Sequence, residues 1–376
     1  MKEDIKYKLN QIANIWNDFI LDYQFCKSKI KFTPEVKTNY LGDILGYFHD
    51  TFDIIFDQTE TISYSARFSN NISLLQSIYV QQDFIEELLI IFKCGIEKGD
   101  LKKNMDYSLN REIRNELVGH PIRKHKGQLI SSCLFGYNDD GNKISYLRYH
   151  KDNDYKFESM QFDIEDIVLR HKNFLDKYFD LILKKLNNIL SAFRKKIEHI
   201  ESLIDNKSFE EIISLLTAFY ESIFKYDYIY DKESLLNIYS RKEEHKRYDN
   251  LINIFFKDLK SSLREKKEYS INVFEPRKIN EYSNIKIPSI NIKFVNTKSK
   301  LSSTEIGSPV TYHYELGKLA SRRDAMDFSF FSRSLRNKCI NNEIVINELN
   351  HMESNIYNDV EYYTAYRLIC SELKED

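Results

Sequence analysis

Residues 111–121 read Arg-Glu-Ile-Arg-Asn-Glu-Leu-Val-Gly-His-Pro, and the character of the chain changes there. Before this stretch apolar residues recur at three- and four-residue spacing; after it they alternate. Leu109, Ile113 and Leu117 fall four apart, which predicts a helix with those three as its buried stripe. Gly119 is placed to cap that helix in the left-handed conformation, and Pro121 biases His120 towards an extended one. Gly-His-Pro is also ordinary helix-stop chemistry, and Arg with Asn on an exposed helix face is commonplace.

Working outward, Ile5, Leu9, Ile12, Trp16, Phe19 and Tyr23 mark an amphipathic first helix. Pro34 opens a second element running to about Phe56, and a third helix covers roughly Asn71 to Cys94. Downstream, Gln128–Tyr137 and Lys143–His150 flank Asn138-Asp139-Asp140-Gly141-Asn142, which reads as a β-hairpin, and Lys156–Phe162 adds a third strand. A helix from about Asp163 to Ile200 follows, carrying Ile167, His171, Leu175, Tyr178 and Ile182 on its apolar stripe. His171 reads as a core histidine. The second half begins near Asp205 with helices over Phe209–Tyr228 and Lys232–Leu263. Residues 266–312 are irregular, holding Pro276, Pro288, Pro309 and one edge strand within 285–294. Helices resume near His313, and a last one runs through Val345, Leu349, Met352, Ile356, Val360 and Tyr363. The expected fold is mainly α: a helical domain over 1–204 with an antiparallel β-meander inserted at about 128–162, then a mostly helical region over 205–376.

Composition narrows the function classes. The 376 residues are 42% hydrophobic and 30% charged, ordinary values for a chain with a real core. Five scattered cysteines form no C-x-x-C pair, so neither a disulfide framework nor a zinc site is expected. The opening MKEDIKYKLNQ lacks a signal-peptide apolar run, and no apolar stretch is long enough to cross a bilayer. The expectation is a cytoplasmic protein with no membrane partner. No P-loop, dinucleotide fingerprint, metal-ligand cluster or Ser/His/Asp spacing occurs, so no cofactor or metal is expected.

The chemistry concentrates in the opening stretch. A guanidinium at Arg114 can hold a phosphate in two-pronged fashion, and a histidine at position 120 can move a proton near neutral pH. On an uninterrupted helix the two would sit about 240° apart and roughly 9 Å along the axis. Ending the helix at Gly119 lets His120 swing towards the arginine, with Asn115 placed to orient either group. Such a pair suits RNA cleavage by the ribose 2′-OH, with histidine as general base or acid and arginine stabilising the phosphorane.

Arg114-Asn115-Glu116-Leu117-Val118-Gly119-His120-Pro121 resembles the signature of HEPN-domain proteins, which place an arginine, a polar residue, a short spacer and a histidine at the end of a helix in an all-helical bundle. The resemblance covers about residues 1–200, its specific part being these eight. It implies a metal-independent endoribonuclease in which Arg114 and His120 from two copies share one cleft, leaving a 2′,3′-cyclic phosphate. It also implies a toxin or anti-phage setting, with an antitoxin or defence-system partner. No second such motif occurs in the chain, so the composite site requires a homodimer. The alternative is a non-catalytic helical protein that binds a nucleotide, RNA or a protein partner.

Residues 101–126 carry seven Lys/Arg against three acids. Arg111, Arg123, Lys124, His125 and Lys126 adjoin the motif and are the candidate RNA-backbone contacts. Arg148, Tyr149 and His150, ending a strand, read as surface strand chemistry. Arg241–Arg247 reads as a solvent-facing helix segment.

Overall fold

The structure is a computed structural model that describes residues 2–31, 33, 38–57, 63–125, 127–134, 142–219, 230–275, 312–321 and 324–373. The chain divides into two compact units, Met1–Lys196 and Ile197–Asp376. The described residues are mainly helical with one small antiparallel sheet, the expected class.

In the first unit, α1 (Lys2–Ile15) passes into a π-turn over Trp16–Ile20, followed by the single turn α2 (Gln24–Lys27). Helices α3 (Thr38–Phe56), α4 (Tyr64–Ile91) and α5 (Met105–Arg114) come next. Four strands follow: β1 (Ile122–His125), β2 (Gln128–Leu134), β3 (Lys143–Tyr149) and β4 (Phe157–Asp163), paired antiparallel in chain order. The 40-residue α6 (Ile164–Leu203) then begins without a loop, its Ile164 N–H bonded to the Asn142 carbonyl at 2.9 Å. The second unit starts within α6, at Ile197.

Two expectations change here. Helix α4 starts seven residues earlier than the apolar periodicity suggests, because Ser63 caps it by accepting from the Ala66 N–H. The sheet gains β1, which the sequence presents as a basic cluster rather than an alternating strand. His125 pairs with Gln128, and Gly127 at φ +78 supplies the left-handed residue that so short a connection needs. Residues 138–141 of the hairpin loop expected at 138–142 lie outside the described residues, as does Pro34.

The core around the motif is a cluster of Ile55, Leu74, Leu75, Ile78, Ile113, Ile144 and Ile167, against which Leu117, Val118 and Phe162 pack. It joins α3, α4, α5, the sheet and α6, so helix and meander share one hydrophobic anchor. Leu109, expected on the buried stripe, is 40% exposed instead. The buried line on α5 is Tyr107, Asn110 and Ile113. Asn110 is buried because both ends of its amide are used: Nδ2 donates to the Ile167 carbonyl at 2.9 Å, and Oδ1 accepts from Arg170 at 3.0 Å.

The second unit comprises α7 (Phe209–Phe219), α8 (Lys232–Ser240), α9 (Lys246–Asn272), α10 (His313–Ser321), α11 (Ala325–Lys338), α12 (Glu343–Ser354) and α13 (Asp359–Glu372). Its last four helices enclose a core that includes Leu319, Phe328, Leu335, Val345, Leu349, Met352, Tyr362 and Ile369. The helix expected over Lys232–Leu263 is broken at 241–245, where His245 Nδ1 accepts from the Arg247 N–H and caps α9. Arg247 is no solvent-facing residue; it forks onto Glu348 at 2.9 and 3.2 Å. The expected last helix is also two, because Asn355 bonds back to the His351 carbonyl and Asn358 caps α13 through the Glu361 N–H. Residues 266–272, expected to be irregular, complete α9; residues 276–311, with the edge strand and three prolines, lie outside the described residues.

His171 is fully buried, its Nε2 at 2.9 Å from Gln81 Oε1, whose amide nitrogen donates to Thr51 Oγ1 at 2.8 Å. Burial lowers its pKa to about 3, so the folded protein keeps it neutral. The unfolded chain takes up a proton near pH 6.5 and the folded one does not, so this residue removes stability as pH falls from about 6.5 towards 3, by roughly 1.4 kcal/mol per unit. Urea unfolding at pH 7 and pH 5 should show the stability gap between wild type and His171→Gln moving in the variant's favour at the lower pH.

Candidate functional site

Helix α5 does not end at a left-handed glycine. It widens into a π-turn over Asn115–Gly119, closed by the His120 N–H bonding the Asn115 carbonyl at 2.8 Å. A turn with five-residue spacing carries one more residue than an α turn and occurs mostly as single turns, often at functional sites. Here the extra residue lets Leu117 and Val118 both reach the hydrophobic cluster. His120 leaves at φ −144, ψ 64, and its ring is exposed.

Gly119 matters for space rather than for φ. A Cβ built on it would lie 2.6 Å from Arg114 Nη1 and 3.5 Å from Asn115 Oδ1. The guanidinium therefore rests against the backbone one residue before the histidine. This is how the arginine and the histidine, six apart in sequence, come to the same end of the helix.

Arg114 is held from three directions. Its Nε and Nη2 donate to Gln76 Oε1 at 3.1 and 3.0 Å, its Nη1 donates to Asn115 Oδ1 at 3.2 Å, and its Cζ lies 3.8 Å from the Tyr79 ring centre. Arg111 Cζ lies 3.8 Å from the same centre. Two guanidinium groups that close to one ring collide if they share a face, so Tyr79 stands between them. Gln76, Tyr79 and Asp83 are spaced i, i+3, i+7 on α4 and form one ladder facing α5.

The two arginines differ in how their charge is met. Arg111 Nη2 pairs with Asp83 Oδ1 at 2.7 Å. Arg114 has only neutral partners among the described residues: an amide on either side and an aromatic face. A guanidinium carries five N–H donors, and the three contacts above leave two for an incoming anion. The arrangement suits capture of one phosphate-sized oxyanion.

Glu116, in the spacer of the motif, points the other way. Its carboxylate accepts from Arg123 Nη2 at 2.7 Å and from the Tyr146 hydroxyl at 2.6 Å, with Arg148 Nη1 at 3.7 Å. Arg148 goes on to Glu158 Oε2 at 2.6 Å, and His150 Nε2 meets the same oxygen at 2.9 Å. Burial and Glu116 push the Tyr146 hydroxyl well above its ordinary pKa, while Arg148 and His150 hold the Glu158 carboxyl below the usual range. This chain of charges fastens the π-turn to the inner face of the sheet.

Arg114 and Asn115 are thus in contact, and His120 is tied to the same turn through its backbone. Of the basic residues proposed for an RNA backbone, Arg111 and Arg123 are engaged within the fold by Asp83 and Glu116, and Lys124 is exposed. His125 ends β1, and Lys126 lies outside the described residues. Sequence reading missed Gln76, Tyr79, Asp83 and Tyr146.

Comparison with protein-family models, with curated proteins and with solved structures returned no match. No helix among the described residues is long and apolar enough to cross a membrane.

Gly119→Ala is expected to push Arg114 off Asn115 while the fold persists, since φ at this position is not left-handed. The side-chain Nε resonance of Arg114 should shift in NMR spectra, with the melting temperature changed by only a few degrees, the effect of about 1 kcal/mol.

Proposed function

We propose that this chain is a metal-independent endoribonuclease of the HEPN type, acting as a homodimer that joins two copies of the Arg114–His120 end of α5. What carries the reading is the neutral cradle of Arg114, formed by Gln76, Asn115 and Tyr79, one residue from an exposed histidine. Such a cradle fixes the guanidinium's direction without consuming its charge, which is what stabilising a phosphorane requires. His120 would be the general base or acid, and Asn115 ties both, the arginine through its side chain and the histidine through its backbone carbonyl. The cellular role proposed is a toxin or anti-phage effector in the cytoplasm, held in check by an antitoxin or defence-system partner.

Arg114→Ala and His120→Ala are each expected to abolish cleavage of RNA in the presence of EDTA, with circular dichroism unchanged. Cleavage at wild-type rates by either variant, or activity strictly dependent on a divalent ion, would refute the reading.

Gln76→Glu tests the cradle separately. It keeps the size and acceptor geometry of Gln76 but places a carboxylate on Arg114. Cleavage should fall by one to two orders of magnitude while the melting temperature holds or rises, because a neutralised guanidinium stabilises the transition state by a few kcal/mol less.

A second reading follows from the ion pairs of Arg111 and Arg123, which leave fewer cations for an RNA backbone: a non-catalytic helical module that binds a nucleotide, RNA or a protein partner at Arg114. Under it, His120→Ala leaves binding intact and no cleavage is found.

A further inference from the structure

We propose that the outer face of the four-stranded sheet is a base-stacking platform for single-stranded RNA leading to the Arg114–His120 turn, an inference that rests on the ribonuclease reading for where the strand goes. Strand registers place Ile122, Ser131, Tyr149 and Phe157 opposite one another in a single row across all four strands. At about 4.8 Å between strands the row is roughly 14 Å long, and it begins two residues after His120. Alternation along β4 exposes every odd-numbered residue, so the row faces outward. Phe157 is 62% exposed and Ile122 75% exposed.

Two features set the aromatic end of this row apart from ordinary strand surface. Tyr149, half-buried, has the exposed Phe157 ring at 5.7 Å and the exposed Tyr155 ring at 5.5 Å. Tyr155, and Asp154 before it, adopt left-handed backbone at φ 56 and φ 49, a conformation that costs a bulky residue on the order of 1 kcal/mol. That cost holds a tyrosine beside the row instead of turning it away.

The charge pattern selects nucleic acid as the occupant. Lys124 on β1, and Lys151 and Lys156 in the β3–β4 connection, are exposed and make no ion pair among the described residues. The acids near this end, Asp152 and Asp154, lie in the same connection, Asp152 beside His150 at 3.8 Å. On the outer face of the described strands the only carboxylate is Asp163, which faces Lys143 at 3.9 Å at the far end from Phe157. Rings that any base can stack on, flanked by unpaired lysines, match the general mode of single-strand recognition on antiparallel sheets, where two or three bases lie on exposed aromatics. A protein partner would call for a continuous apolar centre, whereas a serine interrupts this row.

The test uses the full-length His120→Ala protein, so that RNA is not consumed, and a fluorescein-labelled short single-stranded RNA of mixed sequence read by anisotropy. Tyr149→Ala and Phe157→Ala in that background should each weaken binding roughly 5- to 100-fold, while Tyr149→Phe, which keeps the ring, binds as the parent does. The same RNA annealed into a duplex should bind more weakly and be indifferent to all three changes. Parental affinity in both alanine variants overturns the platform while leaving cleavage by Arg114 and His120 standing. If those variants instead dissociate an oligomer in light scattering with RNA affinity unchanged, the face belongs to a second copy and the proposal fails. No RNA binding by any form overturns the platform; the separate wild-type cleavage assay then decides the nuclease reading. Thermal melts check that the exposed Phe157 can be removed without unfolding, and Phe157→Trp, expected to restore binding, covers the case in which it cannot.

Discussion

The hydrogen bond from the His120 N–H to the Asn115 carbonyl spans five residues instead of four, and the arrangement of groups in the first unit follows from that extra residue. The wide turn seats Leu117 and Val118 together in the cluster shared by α3, α4, the sheet and α6. It also sets Gly119 flat against the Arg114 guanidinium and sends the chain directly into β1. Packing and chemistry are therefore settled by the same local distortion.

Electrostatics then divides the charged residues near the turn into two kinds. Arg111, Arg123 and Arg148 each meet a carboxylate, from Asp83, Glu116 and Glu158 respectively, and act as fasteners between elements. Their pairs are part-buried, where removing one partner leaves the other poorly satisfied. Arg114 belongs to the other kind. It is fixed as firmly, by hydrogen bonds and an aromatic face, but its positive charge is not cancelled. Holding a cation with dipoles instead of an anion is how a protein keeps a binding charge both ordered and available.

Much of the fold was legible in the sequence because it rests on periodicity. Helices with long apolar stripes, such as α1 and α6, and the alternating strands β2, β3 and β4 were placed to within a few residues. What escaped depends on side-chain to backbone bonds that leave no apolar trace. Ser63 lengthens α4, His245 splits a helix in two, and Asn355 with Asn358 splits another. The short β1 escaped because its residues are mostly basic. At the candidate site, Arg114, Asn115 and His120 were visible as a motif, yet the role of Gly119 was misread: its missing side chain, not its φ, is what the turn uses. Gln76 and Tyr79 were invisible, since nothing local to α4 announces that two arginines from another helix will close on it.

The partners of Arg114 have one more consequence. Neither the Gln76 nor the Asn115 amide gains or loses a proton in water, and a guanidinium stays charged throughout the working range. The anion-holding half of this turn is therefore the same object at mildly acidic and mildly alkaline pH, with the same charge and the same aim. Acidity can therefore act on the turn only through groups other than these three side chains.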